Sequence, residues 1–217
     1  MVDQERLERK LQSFPKEYMR DFDYFWTWKL QVETEAMHIL DEAHRKIAYS
    51  KLVQVLARWQ AYRRSRNPNP WLTLKHSLDR ISEYYNHIRK YSLLEFHNIP
   101  DDALEFIWHE LGRVKEYESE RNSSGRYYVI SVCKPLMLVW GQTPAFDSNV
   151  RAHIAYTHNC LSRNRWTFEE WKEMMSEMKE EISHDQEILG FMRRKSLEKY
   201  GNDVIVPYGR FLDIYYF

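Results

Sequence analysis

Glycine is what this chain most lacks, with six in 217 residues, about 3% where roughly 7% is usual. Barrels, phosphate-binding loops and doubly wound α/β sheets need glycine wherever the backbone takes positive φ or closely approaches a ligand. Helices need it mainly at their ends, so the expected fold is an all-α, multi-helix globular domain. Aromatic residues, 15% of the chain, supply bulk for its core. At this length a single core, or two small ones that share a boundary, buries about 70% of the unfolded surface.

Charge and cysteine narrow the classes further. Lys plus Arg number 32 and Asp plus Glu number 32, so the overall basic excess typical of strong nucleic-acid binders is missing. Two local basic clusters remain, one at Arg63, Arg64 and Arg66 and one at Arg193, Arg194 and Lys195. Cys133 and Cys160 fit no zinc or redox spacing and read as free thiols of a reducing, cytoplasmic environment. The longest apolar run, Pro135 to Trp140, is too short to cross a bilayer, and the charged N-terminus does not read as a signal peptide, so no membrane partner is expected.

Along the chain, residues 2–14 read as a short charged helix ended at Phe14-Pro15. From Lys16 to about Arg64 there is almost no breaker, and Met37, Leu40, Ala43, Ile47, Leu52, Val53 and Leu56 suggest two long helices or one bent one. Arg66-Asn67-Pro68-Asn69-Pro70 reads as a linker. It would separate an N-terminal helical hairpin (1–66) from a larger helical remainder (71–217). A helix over 72–94 and one from Asp101 to about Tyr117 follow, then a loop at 121–125.

Arg126 to Trp140 is the most apolar segment and should be the central buried helix, kinked or divided at Pro135 and closed by Gly141. Thr167-Phe168-Glu169-Glu170 fits a capping box opening a long helix to Tyr200. Beyond Gly201 the segment from Val204 to Phe217 reads as an irregular or extended tail.

The stretch from Gly125-Arg126-Tyr127 through Gly141, Pro144 and Asp147 to Arg151 carries the most chemical information. A buried helix ends on glycine, a proline-containing loop follows, and an aspartate opens the next helix. This resembles the core of the helix-hairpin-helix DNA glycosylases. The resemblance implies that Asp147 is the carboxylate that stabilises a cationic sugar or activates water, with the target base flipped between aromatic side chains. Arg126, Arg151, Arg63 and Arg64 would then contact DNA phosphates, and Tyr127 and Trp140 would stack on the base.

Tyr127 stands where bifunctional members carry a lysine nucleophile, which excludes a covalent lyase step from that position and implies a monofunctional enzyme. Lys134 is the nearest alternative amine, although nothing in the sequence brings it to Asp147. The plainer reading makes Asp147 a helix N-cap with Arg151 one turn on, and Lys134 a core-helix lysine that snorkels to solvent.

Two Glu-x-x-His steps, Glu35 to His38 and Glu181 to His184, offer half of a di-metal carboxylate site in a helical bundle. Their helical phase places both histidines away from the apolar stripe, so solvated faces are the better account and no metal is assigned. No P-loop, dinucleotide fingerprint or nucleophile elbow is present, so no cofactor is expected. Two functions remain in view. One is a glycosylase-like protein acting on DNA. The other is a non-enzymatic helical module that binds a protein partner or a second copy of itself through its aromatic and charged faces, such as Tyr24 to Trp28.

Overall fold

The computed structural model describes residues 2–116, 125–157, 163–201 and 204–217. The fold is all-α. Its helices are α1 (Gln4–Ser13), α2 (Lys16–Val32), α3 (Glu42–Arg58), α4 (Pro70–Ile88), α5 (Asp101–Gly112), α6 (Val129–Trp140), α7 (Ser148–Thr157), α8 (Phe168–Ser183), α9 (Gln186–Tyr200) and α10 (Tyr208–Tyr216). Short 3₁₀ turns cover Leu93–Asn98 and Arg113–Lys115. Two-residue strands β1 (Tyr127–Tyr128) and β2 (Arg165–Trp166) pair antiparallel just ahead of α6 and α8.

The core is arranged around α6, almost every side chain of which is buried. Helices α2, α3 and α5 pack on it, while α4 lies along α5 and α8 packs on the first 3₁₀ turn and on α9. One apolar cluster runs from Val2 through Leu56 and Met137 to Tyr216, so the N-terminal helices and the remainder share it. Pro135 does not divide α6, which is continuous through it.

Local chemistry sets several boundaries. Asp3 caps α1 through its carboxylate to the Arg6 N–H (2.7 Å). Thr167 and Glu170 form the expected capping box. Gly141 closes α6 in the left-handed region (φ 77°), and a Cβ there would fall 2.3 Å from the Trp26 ring, so both backbone and packing demand glycine.

The segment from Lys16 to Arg58 forms two long helices, one of the two forms expected of it, divided at residues 33–41 without glycine or proline, where Arg89 donates to the carbonyls of Thr34 (2.8 Å) and Glu35 (2.9 Å) and Asp41 accepts from the His38 N–H. Three expectations are corrected. Met37 and Ile47, assigned to the apolar stripe, are exposed, and Ile39, Ala48 and Val55 are buried in their place. The helix expected to reach Tyr200 unbroken is two, because Asp185 accepts from the N–H groups of Glu187 and Ile188 (3.0 Å each) and starts α9 afresh.

The third correction bears on function. Only residues up to Pro207 of the described C-terminal tail are irregular, and Tyr208–Tyr216 is a buried helix. It packs on α1 and α7. A Cβ on Gly209 would lie 2.3 Å from backbone atoms of Gln142 and Thr143. Glycine therefore lets α10 meet the 141–147 loop backbone to backbone, and this contact brings Arg210 and Asp213 beside Asp147.

Candidate functional site

A cleft of about 260 Å³ opens where five segments converge. Lys134 and Met137 come from α6, Asp147 and Asn149 from the start of α7, Arg210 and Asp213 from α10. The aromatic lining is one contiguous cluster of Phe14, Tyr18, Trp59 and Phe217. The edge of Phe14 meets Phe217 at a centroid distance of 4.9 Å, and Tyr18 stands perpendicular to Trp59 at 6.2 Å.

Asp147 is half-buried and has two faces. Its Oδ1 accepts from the N–H groups of Asn149 (3.0 Å) and Val150 (3.1 Å), which makes it the N-cap of α7. Among the described residues its Oδ2 accepts no hydrogen bond, and the residue lines the cleft. Phe146, just before it, has φ 49°, a left-handed conformation rare for a side chain of this size. Arg151 donates to the Phe146 carbonyl (2.7 Å) and so braces that turn.

Lys134 reaches the same cleft. Its Nζ donates to the Trp59 carbonyl (3.0 Å). Burial lowers its pKa from the usual lysine value, while the Asp147 and Asp213 carboxylates oppose that shift and Arg151 adds to it. Lys134 thus lines the same cleft as Asp147, an arrangement that lay beyond the sequence because it depends on how α6, α7 and the Trp59 turn pack.

Asp213 and Arg210 form the floor. Arg210 Nη1 donates to Asp213 Oδ2 (2.8 Å), and Asp213 Oδ1 accepts from the Ala145 N–H (2.9 Å). Burial pushes the Asp213 carboxyl up to about 6, with Arg210 acting the other way and Asp147 raising it further. The Arg210 guanidinium lies 4.7 Å from the Phe14 ring centroid and 5.0 Å from that of Phe22, and its Nη2 donates to the Tyr18 carbonyl (3.2 Å). Among the described residues the buried Nε of Arg210 and Nε1 of Trp59 have no acceptor. Read from the sequence as an irregular tail, their segment pointed to neither Arg210 nor Asp213, although their opposite charges at i, i+3 spacing are a helical signal.

The other candidates fall elsewhere. Arg126 is engaged by Glu170 in a two-pronged pair, with both nitrogen-to-oxygen distances 2.8 Å. Arg63 and Arg64 are exposed in the turn that follows Trp59. Tyr127 and Trp140, read as stacking platforms, are packed inside. The Tyr127 ring lies against Gly112, where an added Cβ would meet it at 2.3 Å. Trp140 donates Nε1–H to the Tyr91 carbonyl (3.0 Å). Neither lines the cleft, whose aromatic residues are Phe14, Tyr18, Trp59 and Phe217. Ser123, Ser124, His158 and Cys160 lie outside the described residues, and Cys133 is a buried free thiol.

His38 departs from its expected solvated helix face. It is buried in the 33–41 connection, with Nε2 2.8 Å from Asp41 Oδ1, whereas His184 is exposed at the end of α8. Among the described residues no group of three or more His, Cys, Asp or Glu is placed to hold a metal ion. None of their helices is long and apolar enough to cross a membrane. No protein-family model, curated protein or solved structure matches the chain.

Proposed function

We propose that the chain acts on DNA as a monofunctional base-excision glycosylase similar to the helix-hairpin-helix enzymes. The observation that carries this reading is the entry of Lys134 and Asp147, from separate helices, into one aromatic-walled cleft of a size for a single flipped base. The N-glycosidic bond breaks with its electron pair passing to the base, which takes a proton from the Lys134 ammonium. Water adds to the sugar carbon and gives its proton to the free oxygen of Asp147, whose charge also stabilises the cationic sugar. Burial makes Lys134 a stronger acid than an exposed lysine, which suits it to protonate a leaving base near neutral pH. Asp213 and Arg210 position the floor of the cleft.

The interaction-module reading lacks a comparable observation. The exposed large apolar side chains among the described residues, including Tyr24, Met37, Ile47, Leu72 and Tyr156, are spread over different elements.

Base release from oligonucleotides bearing deaminated, oxidised or alkylated bases, followed by alkaline cleavage at the abasic site, tests the proposal. Release should decline on the alkaline side at a pH below the ordinary lysine value of 10.5, as the Lys134 ammonium loses its proton. Lys134→Gln should be slower and lack that decline. No release from any substrate, or a Lys134→Gln profile identical to wild type, would overturn it.

A further inference from the structure

An open groove of about 720 Å³ runs along the outer face of α2 and is bordered by Lys51 of α3. Lys16, Arg20, Tyr24 and Trp28 follow one another at i, i+4 spacing and so form a single ridge, with Gln31 at its far end. From Lys16 to Gln31 the ridge extends about 22 Å. Lys16 and Arg20 are exposed, and neither pairs with a carboxylate among the described residues. Lys51 Nζ lies 3.9 Å from the Tyr24 ring centroid and donates to its hydroxyl (2.7 Å). The one acidic group of the lining, Asp23, is already held by Lys199 (2.5 Å) and the Tyr200 hydroxyl (2.7 Å). Along the ridge two cations, Lys16 and Arg20, are followed by two aromatic rings, Tyr24 and Trp28, and Lys51 lies over one face of each ring, 3.9 and 5.4 Å from their centroids.

This groove adjoins the cleft. Tyr18 lines the cleft and the next residue, Met19, lines the groove, with its sulfur 3.7 Å from Arg210 Nη2. We propose that the groove holds the single-stranded flank of the DNA whose base enters the cleft. Lys16, Arg20 and Lys51 meet phosphates while Tyr24 and Trp28 offer planes for bases, the combination by which single strands are held without sequence preference. At 3.4 Å per stacked nucleotide the ridge accommodates about six. An acidic peptide would use the cations and leave the rings idle. The proposal rests on the nucleic-acid reading of the cleft.

The test is fluorescence anisotropy of a labelled oligothymidylate of about 12 nucleotides with the full chain across a salt series. Three phosphate contacts predict a slope of log Kobs against log salt of about −2. Lys16→Glu combined with Arg20→Glu should weaken binding at least about tenfold and flatten the slope to about −0.7, while Arg20→Lys should retain it. Tyr24→Leu should weaken binding with the slope unchanged. Absence of binding by the wild type, undiminished binding by the double variant, or equally effective competition by polyglutamate would overturn the proposal. If the wild type releases a base while the double variant binds the strand undiminished, the groove assignment fails alone. If the double variant loses the strand but the wild type releases no base, the glycosylase reading fails and the groove assignment stands.

Discussion

At Asp147 one carboxylate oxygen is committed to the backbone of α7 and the other is left to the cleft. Under the proposed glycosylase reaction a helix cap and a reacting group are the same residue, so the two readings that the sequence offered for it do not compete. Lys134 is legible as a lysine in an apolar helix, but its reach to the Trp59 carbonyl follows from packing alone. Asp213 gives the residue scale its own test. Burial raises its folded-state pKa from the ordinary 3.8 to about 6, so the folded protein binds that proton more tightly than the unfolded chain. The resulting stabilisation is complete below about pH 4 and is lost as pH rises to about 6. In urea denaturation, the unfolding free energy of wild type minus that of Asp213→Asn should fall across that window. A difference independent of pH would contradict the placement of Asp213 in a desolvated site.

At the scale of elements, the sequence disclosed those helices whose ends carry their own chemistry. Gly141 stops α6, and Thr167 with Glu170 starts α8. It hid the break at 33–41, and a local cap at Asp185, which starts α9, is masked inside a long helical pattern. The 33–41 connection is held by Arg89, the residue after α4, and by side chains of its own, Thr34 and Asp41, which accept from the N–H groups of Met37 and His38 but are not accompanied by glycine or proline. Helix α10 was obscured for a different reason. It is short and buried throughout, its one polar pair, Arg210 and Asp213, spans a single turn, and its aromatic residues read equally well as extended chain. Its seating depends on Gly209. Gly209→Ala would place a methyl 2.3 Å from the backbone of the 142–143 peptide, and α10 would have to retreat, at a cost of about 1–3 kcal/mol. The urea midpoint should drop accordingly and base release should fall with it, since Arg210 and Asp213 ride on that helix. Unchanged stability would contradict the close approach.

Over the whole molecule, the two ends of the chain complete the cleft. The Asp3 N–H donates to the Tyr215 hydroxyl (3.3 Å), the Arg6 guanidinium lies 4.7 Å from the Tyr215 ring centroid, and Phe14 meets Phe217 in the cleft wall. Residues more than 200 positions apart thus enclose a site whose polar groups come from the middle and the C-terminal helix. The scarcity of glycine acquires a second meaning here, because Gly141 serves close packing as much as turning and Gly209, inside α10, serves close packing. The central claim is that the free oxygen of Asp147 performs the chemistry of this cleft. Asparagine caps a helix as well as aspartate does, so Asp147→Asn separates the two roles of the residue. Single-turnover base release and thermal unfolding, measured together on this variant, test the claim most directly. The prediction is a loss of about 10²-fold or more in rate with an unchanged melting temperature, and release at the wild-type rate would contradict it.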